Sequence, residues 1–150
     1  MDDLGTLLAR QQIADTVTDL FVGTDNRDWS LVLRCFADQV LFDMRSLTGA
    51  EPATVAATHI VAGWQHGLAP LKAVHHQIGN LKVEVDGEAA RAFCYGTATH
   101  YLPNPSGRNT RTFVGSYDFR LKKDGAAWRI TDFRFNAKYV DGNLELERSG

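Results

Sequence analysis

Beyond residue 70 the chain reads as four long β-strands cut apart by three turn signals, an order that leaves few architectures open. The signals are Asp86-Gly87, Pro103 to Gly107 and Lys123-Asp124-Gly125, so strands are expected at about 71–85, 89–102, 109–122 and 127–139. Connections this short join antiparallel neighbours, which makes the second half a meander. Helical patterns come first. Leu4, Leu7, Leu8, Ala14, Val17, Leu20 and Phe21 recur at spacings of three and four, predicting an amphipathic helix from Leu4 to about residue 25. Asp28 stands as an N-cap before WSLVLRCF, a second helix with Trp29, Val32, Leu33 and Phe36 on its apolar side. VLFDM predicts a short strand. EPATVAATHIVAGWQHGL, with Pro52 near its start and Gly67 near its end, predicts a third helix. Three helices followed by a meander place the chain in the α+β class, with helices on one face of a strongly curved sheet.

A chain of 150 residues can bury roughly 70% of its unfolded surface, and no repeat or linker divides it, so residues 1–150 are expected to form a single domain. With 44% hydrophobic residues, 23% charged residues and a net charge of −2, the composition excludes a disordered chain and a basic nucleic-acid footprint. Small molecules or protein surfaces are the partners it leaves. The start, MDDLGTLLARQQ, is acidic, and no apolar run approaches the roughly 18 residues of a membrane span, so no membrane partner and a cytoplasmic location are expected. Cys35 and Cys94 lack CxxC spacing and read as reduced thiols rather than nucleophiles. The polar tail VDGNLELERSG reads as partly loose.

Three residues interrupt these patterns. Asp25 continues the stripe of Val17 and Phe21 at intervals of four, and a carboxylate on a buried face needs a hydrogen bond or a cation. The alternative is that the helix stops just before it and Asp25 merely caps the turn DNRD. In AARAFCYGTATHYLP the alternate residues Ala90, Ala92, Cys94, Gly96 and Ala98 are all small and lead to His100, leaving room for a helix or ligand beside that histidine. A backbone partner would satisfy the ring equally well. In AVHHQIGN two histidines adjoin, and in a strand they face opposite ways. Counting back by twos from Val85, Val83 and Leu81 puts His75 inside, unless a bulge at Gly79-Asn80 breaks the parity. His59 and His66 lie seven apart on a predicted helix, but there is no HxxxH or HExxH pair, so no metal is expected. GxSxG, Gly-rich phosphate loops and dinucleotide fingerprints are also missing, and no cofactor is expected.

The order of TDNRDW at 24–29, FDMRSL at 42–47, HHQIGN at 75–80, THY at 99–101 and DGAAW with its following strand at 124–135 resembles the nuclear transport factor 2-like, or SnoaL-like, superfamily. Within it the likeness is to scytalone dehydratase and then to hexachlorocyclohexane dehydrochlorinase, over about residues 10–140. The resemblance implies a cone-shaped, cystatin-like roll, its mixed or antiparallel sheet carrying three N-terminal helices on the concave face. It implies catalytic roles for Asp25, His76 and His100, with His75 a neighbour. The dehydratase's two water-holding tyrosines fall at Thr24 and Met44, and two polar residues of its third strand fall at about Phe113 and Gly115, so scytalone itself is not the expected substrate. Arg45, in the DMR stretch, is open to a salt bridge or a substrate contact. What the resemblance implies is a lyase that works by Asp-His general acid/base catalysis without a cofactor. Val17, Phe21, Thr24, Met44, Trp64, Phe113 and Phe133 would line a pocket for a small hydrophobic, cyclic compound. An isomerase or polyketide cyclase using the same base, and a non-catalytic small-molecule-binding domain, are the alternatives. Relatives that associate imply a homo-oligomer, trimer or dimer.

Overall fold

The computed structural model describes residues 3–149. Helix α1 (Leu4–Asp25) begins where the Asp3 carboxylate accepts the Thr6 amide at 2.7 Å. Its buried residues are Ile13, Val17, Leu20, Phe21, Gly23 and Thr24, so the stripe engages the core only in the later turns. Leu4, Leu7 and Leu8, which the spacing places on that stripe, stand 83%, 51% and 58% exposed because the first turns of α1 lie clear of the sheet.

The turn after α1 is a Schellman motif. The amide of Asp28 bonds to the Gly23 carbonyl at 2.8 Å and that of Arg27 to Thr24 at 3.1 Å, with Arg27 at φ 58. The guanidinium of Arg27 reaches the carbonyls of Leu68 and Leu71 at 3.1 and 2.6 Å, fastening the end of α1 to the chain entering β3. Asp28 then caps α2 (Trp29–Cys35) through the Leu31 amide. In α2 the buried residues are Val32 and Cys35, while Leu33 faces outward at 37% exposure.

Next come β1 (Phe36–Asp43), the single turn α3 (Arg45–Thr48), β2 (Ala53–Ala56) and α4 (Ala57–Leu68). The expected third helix therefore starts six residues late, since residues 51–56 do not open it. The Thr54-Val55-Ala56 run pairs antiparallel with β1, Val55 opposite Val40, and β-branched residues fit that pleat better than a helix turn. The meander follows as β3 (Ala73–Asp86), β4 (Ala89–Tyr101), β5 (Thr110–Asp124) and β6 (Ala127–Gly142), close to the expected bounds. Strand β1 runs parallel to β6, so one mixed six-stranded sheet results, in the order β2-β1-β6-β5-β4-β3. Helices pack on its concave face over a core that includes Phe21, Phe36, Tyr117, Phe119, Phe133 and Phe135. No helix among the described residues is long and apolar enough to cross a membrane.

The tail departs from expectation. β6 extends to Gly142, and a 3-10 turn, Leu146–Arg148, folds back with Leu146 fully buried against Leu71 and Val74. Asn143, 4% exposed, holds the approach by donating to the carbonyl of Arg108 and the hydroxyl of Ser149. A polar tail is ordered here because its polar groups find partners within the fold.

The small-residue face of β4 is as read: Ala90, Ala92, Cys94, Gly96 and Ala98 are all buried. Its occupant at Gly96 is the ring of Tyr117, which a Cβ there would approach to 2.2 Å. Gly96→Ala must displace that ring from a packed core, and we expect urea unfolding to show a loss of about 1–3 kcal/mol.

Candidate active site

The site forms where the C-terminal end of α1 meets the start of β3. Asp25 does not cap the turn behind it. Its Oδ2 accepts the backbone amide of His76 at 2.7 Å, and its Oδ1 lies 2.6 Å from the ring Nδ1 of the same residue. Both side chains are largely enclosed, at 16% and 14% exposure. A carboxylate accepts, so Nδ1 carries a proton, and in the ring's neutral form the lone pair lies on Nε2. The ring of Phe21 stands 5.2 Å from this imidazole, centroid to centroid. His75 points the other way, 76% exposed, with Nδ1 4.0 Å from Asp25.

Counting by twos from Leu81 fails because the pleat is interrupted. Gly79 pairs with Tyr95 and Lys82 with Phe93, so Asn80 and Leu81 both oppose Cys94, a β-bulge with Asn80 at φ 56. The extra residue reverses parity, bringing His76 and Ile78 onto the same face as Leu81, Val83 and Val85.

His100 lies on the same concave face of β4. His76 pairs with Ala98, and His100 is two residues further along, a diagonal spacing of roughly 7–8 Å. Its Nδ1 is 2.9 Å from Nη2 of Arg111, its cross-strand partner on β5. A guanidinium only donates, so this Nδ1 accepts and the ring proton sits on Nε2, the reverse of His76. Burial, then the Arg111 charge and then that of His76 push the His100 pKa down from 6.5 to about 4, against weaker opposing pulls from Glu147 and Asp25.

The expected lining residues divide. Phe113 touches His100 at a centroid distance of 5.0 Å, as Phe21 touches His76. Trp64 and Phe133 form an aromatic group with Phe36 and Phe42, and Met44 packs on the same core. Val17 is fully buried, a core residue rather than part of an open wall. Thr24 is also buried, its hydroxyl donating to the Leu20 carbonyl at 2.7 Å, so it does not stand in for a water-holding tyrosine. Arg45 lies at the surface, 62% exposed, 3.4 Å from Glu51. His59 and His66 are exposed, and the described residues contain no group of three or more His, Cys, Asp or Glu able to hold a metal ion. Burial above all pushes both cysteine thiols up to about 12, as suits unreactive core residues.

Sequence reading missed Arg111, Glu147 and Tyr117. The first two emerge only from the register of β4 on β5 and the return of the tail. Tyr117, 6% exposed, has its ring 4.8 Å from Phe21 and leans from its partner Cys94 toward Gly96, the direction of His100. Burial, then the Cys94 thiol and then the Asp25 charge raise its hydroxyl pKa, so it remains a protonated donor. The alternation of Phe113, Gly115, Tyr117 and Phe119 on one strand was the available signal.

The depressed pKa of His100 has a consequence for stability. Between pH 6.5 and about 4 the unfolded ring binds a proton that the folded ring refuses, so stability is fully present above 6.5 and falls as the pH drops through this window. The loss is on the order of 2–3 kcal/mol. Urea unfolding at pH 7 and pH 4.5 should show a smaller drop for His100→Gln than for the parent, by most of that amount.

With the geometry in place, the relatives are informative. The chain matches the family model for the SnoaL-like domain over residues 5–134. The solved Kfla4162 protein from Kribbella flavida is 26% identical, with 93% of this chain and 96% of that one covered at a TM-score of 0.86. Hexachlorocyclohexane dehydrochlorinase LinA-type3 from Novosphingobium barchaimii LL02 is 16% identical, with 95% of each chain covered at 0.76. A protein proposed to be a scytalone dehydratase, from Novosphingobium aromaticivorans DSM 12444, is 13% identical, with 91% of this chain and 89% of that one covered at 0.79. No curated protein sequence matches the chain significantly. The fold, the order of its elements and the family match agree, and the chain belongs to the SnoaL-like domain family of the nuclear transport factor 2-like superfamily.

Proposed function

We propose that this protein is a cofactor-independent lyase of the dehydratase type, acting on a small hydrophobic, cyclic compound by general acid/base catalysis at Asp25, His76 and His100. The observation that carries the reading is the opposite partners of the two Nδ1 atoms, the Asp25 carboxylate on His76 and the Arg111 guanidinium on His100, on one face of neighbouring strands; they dispose His76 to offer a base nitrogen and His100 a donor N–H. His76 Nε2 removes a proton next to a carbonyl, while Asp25 holds the ring and stands against the positive charge forming on it. The electron pair passes to the carbonyl oxygen, where the His100 N–H receives the developing charge. The carbonyl then re-forms, the group β to it departs as hydroxide or halide, and the proton held by His76 leaves with it. Phe21 and Phe113 back the two imidazoles and suit an apolar ring, and Thr24, Met44, Trp64 and Phe133 lie toward the interior.

The same base serves an isomerase or a polyketide cyclase, which stops at the enolate or adds it to a second carbonyl. The neutral character of His100 favours keeping this reading, since an N–H that stabilises an oxyanion does not require a leaving group. A binding domain without catalysis is the remaining alternative. Exposed Leu41, Tyr95 and Tyr139 add apolar surface and support a homo-oligomer, dimer or trimer, which sedimentation equilibrium would report as a mass two or three times that of the chain.

A panel of cyclic β-hydroxy and β-halo ketones, followed by enone absorbance and by deuterium uptake at the α-carbon in heavy water, tests the chemistry. Enone formation supports the lyase, and deuterium uptake alone supports the isomerase or cyclase. On the best substrate, His76→Ala and Asp25→Asn should each lower turnover by roughly 10²- to 10⁴-fold. Full turnover in His76→Ala would remove the proposed base.

A further inference from the structure

Arg111 joins His100 to the tail of the chain. Its Nη2 carries two hydrogens: one meets Nδ1 of His100 at 2.9 Å, and the other meets Oε1 of Glu147. Its Nη1 reaches the second oxygen of the same carboxylate at 2.9 Å, so the guanidinium is gripped on two atoms at once. The Arg111 side chain is 13% exposed, and its Cζ lies 5.4 Å from the centroid of Phe113, the ring that also touches His100. Glu147 is placed by the 3-10 turn, which Leu146 anchors against Leu71 and Val74, and Val74 is the residue paired with His100 across β3 and β4. The tail amide of Asn143 bonds to the carbonyl of Thr110, next to Arg111. The relay is thus tied to both strands that flank the histidine.

We infer that Arg111 and Glu147 are positioning residues that fix His100 in its Nε2–H form and aim that hydrogen at the reacting oxygen, an inference resting on the lyase or enolate-forming role proposed above. A lone imidazole can carry its single proton on either nitrogen, and the Nδ1–H form would leave a lone pair, not a hydrogen, toward the developing oxyanion. Arg111 excludes that form because both groups would then be donors. Other charged or titratable groups facing His100 are His76 on β3 and Asp25 on α1, and neither supplies a donor to Nδ1. The salt bridge keeps Arg111 from swinging into solvent, and Glu147 balances the positive charge beside the imidazole. His100 acts as a neutral hydrogen-bond donor: its proton is shared with the oxyanion and not given up. The tail is therefore part of the catalytic apparatus without touching substrate.

The test is a multiple-bond proton–nitrogen spectrum of the protein labelled with ¹⁵N-histidine, which reads the tautomer and titration of His100 directly. The parent should show Nε2–H with an unprotonated Nδ1 at pH 7. Arg111→Met, which has no donor, should give a mixed tautomer and raise the titration midpoint by about one pH unit or more, and Arg111→Lys, keeping a donor, should largely restore the parent signature. Glu147→Gln should shift the midpoint in a smaller but measurable way, with the far-ultraviolet circular dichroism unchanged. On the substrate found above, Arg111→Met should lower kcat more than it raises KM. A parent spectrum with the proton on Nδ1, or an Arg111→Met spectrum identical to the parent, would overturn the inference, and an unchanged Glu147→Gln spectrum would remove the tail from it. Should Arg111→Met fail to fold, the parent spectrum and Glu147→Gln still decide. Because the spectrum needs no substrate, the lyase reading can fail on His76→Ala while the tautomer lock stands, and the reverse.

Discussion

The two hydrogen bonds that Asp25 accepts from His76 set the relation between the helical half of this protein and its sheet. A carboxylate at 16% exposure on the inner side of a helix would oppose folding if left unpaired, since desolvating the charge costs several kcal/mol. Here one oxygen takes the backbone amide and the other the ring, so Asp25 fixes both the height of β3 against α1 and the rotamer of the histidine. That requires the last turn of α1 to stop at one place. Arg27 in the left-handed region, its guanidinium on the carbonyls of Leu68 and Leu71, and Asp28 capping α2 hold it there. The four residues DNRD supply the site's carboxylate, end one helix, anchor it and start the next.

The order of elements and the four long strands were legible because their signals are local: helical spacing, turn residues and strand composition. What local pattern misses is pairing. The Thr54-Val55-Ala56 run reads into the following helix until β1 is available as a partner. The choice between His75 and His76 turned on an extra residue whose presence can be counted only against β4. Gly79-Asn80 was nonetheless the right place to look, since asparagine is among the few residues that accept positive φ without much strain. The Asp25, His76 and His100 set came from a likeness to relatives, and geometry then gave each ring an Nδ1 partner of opposite charge.

The tail shows a second limit. VDGNLELERSG has the composition of a solvated end, and composition does not say whether polar groups will find water or one another. Leu146 is the apolar residue that closes the turn on the body, and from there Glu147 falls beside Arg111, 36 positions earlier in the chain. Glu147 lies outside the hairpins, so no local pattern rule pairs it with Arg111. The register His100 opposite Arg111 brings the cation, and the return of the tail brings the anion.

The two histidines owe their different chemistry to the signs of their Nδ1 partners, an anion for one and a cation for the other. Two carboxylates would give two bases, and two guanidinia would give two donors with nothing to take the proton. Opposite partners give one of each, and burial keeps the donor neutral across the physiological range. Little is left in the neighbourhood to bind a hydroxylated substrate. Thr24 spends its hydroxyl on the Leu20 carbonyl, and Met44 and Phe113 have none, leaving Tyr117 as the phenol on the concave face, leaning toward His100. Phe21 stands against His76 and Phe113 against His100, so each imidazole has an apolar ring on one side, and a hydroxyl brought between them would lose its water with few partners to replace it.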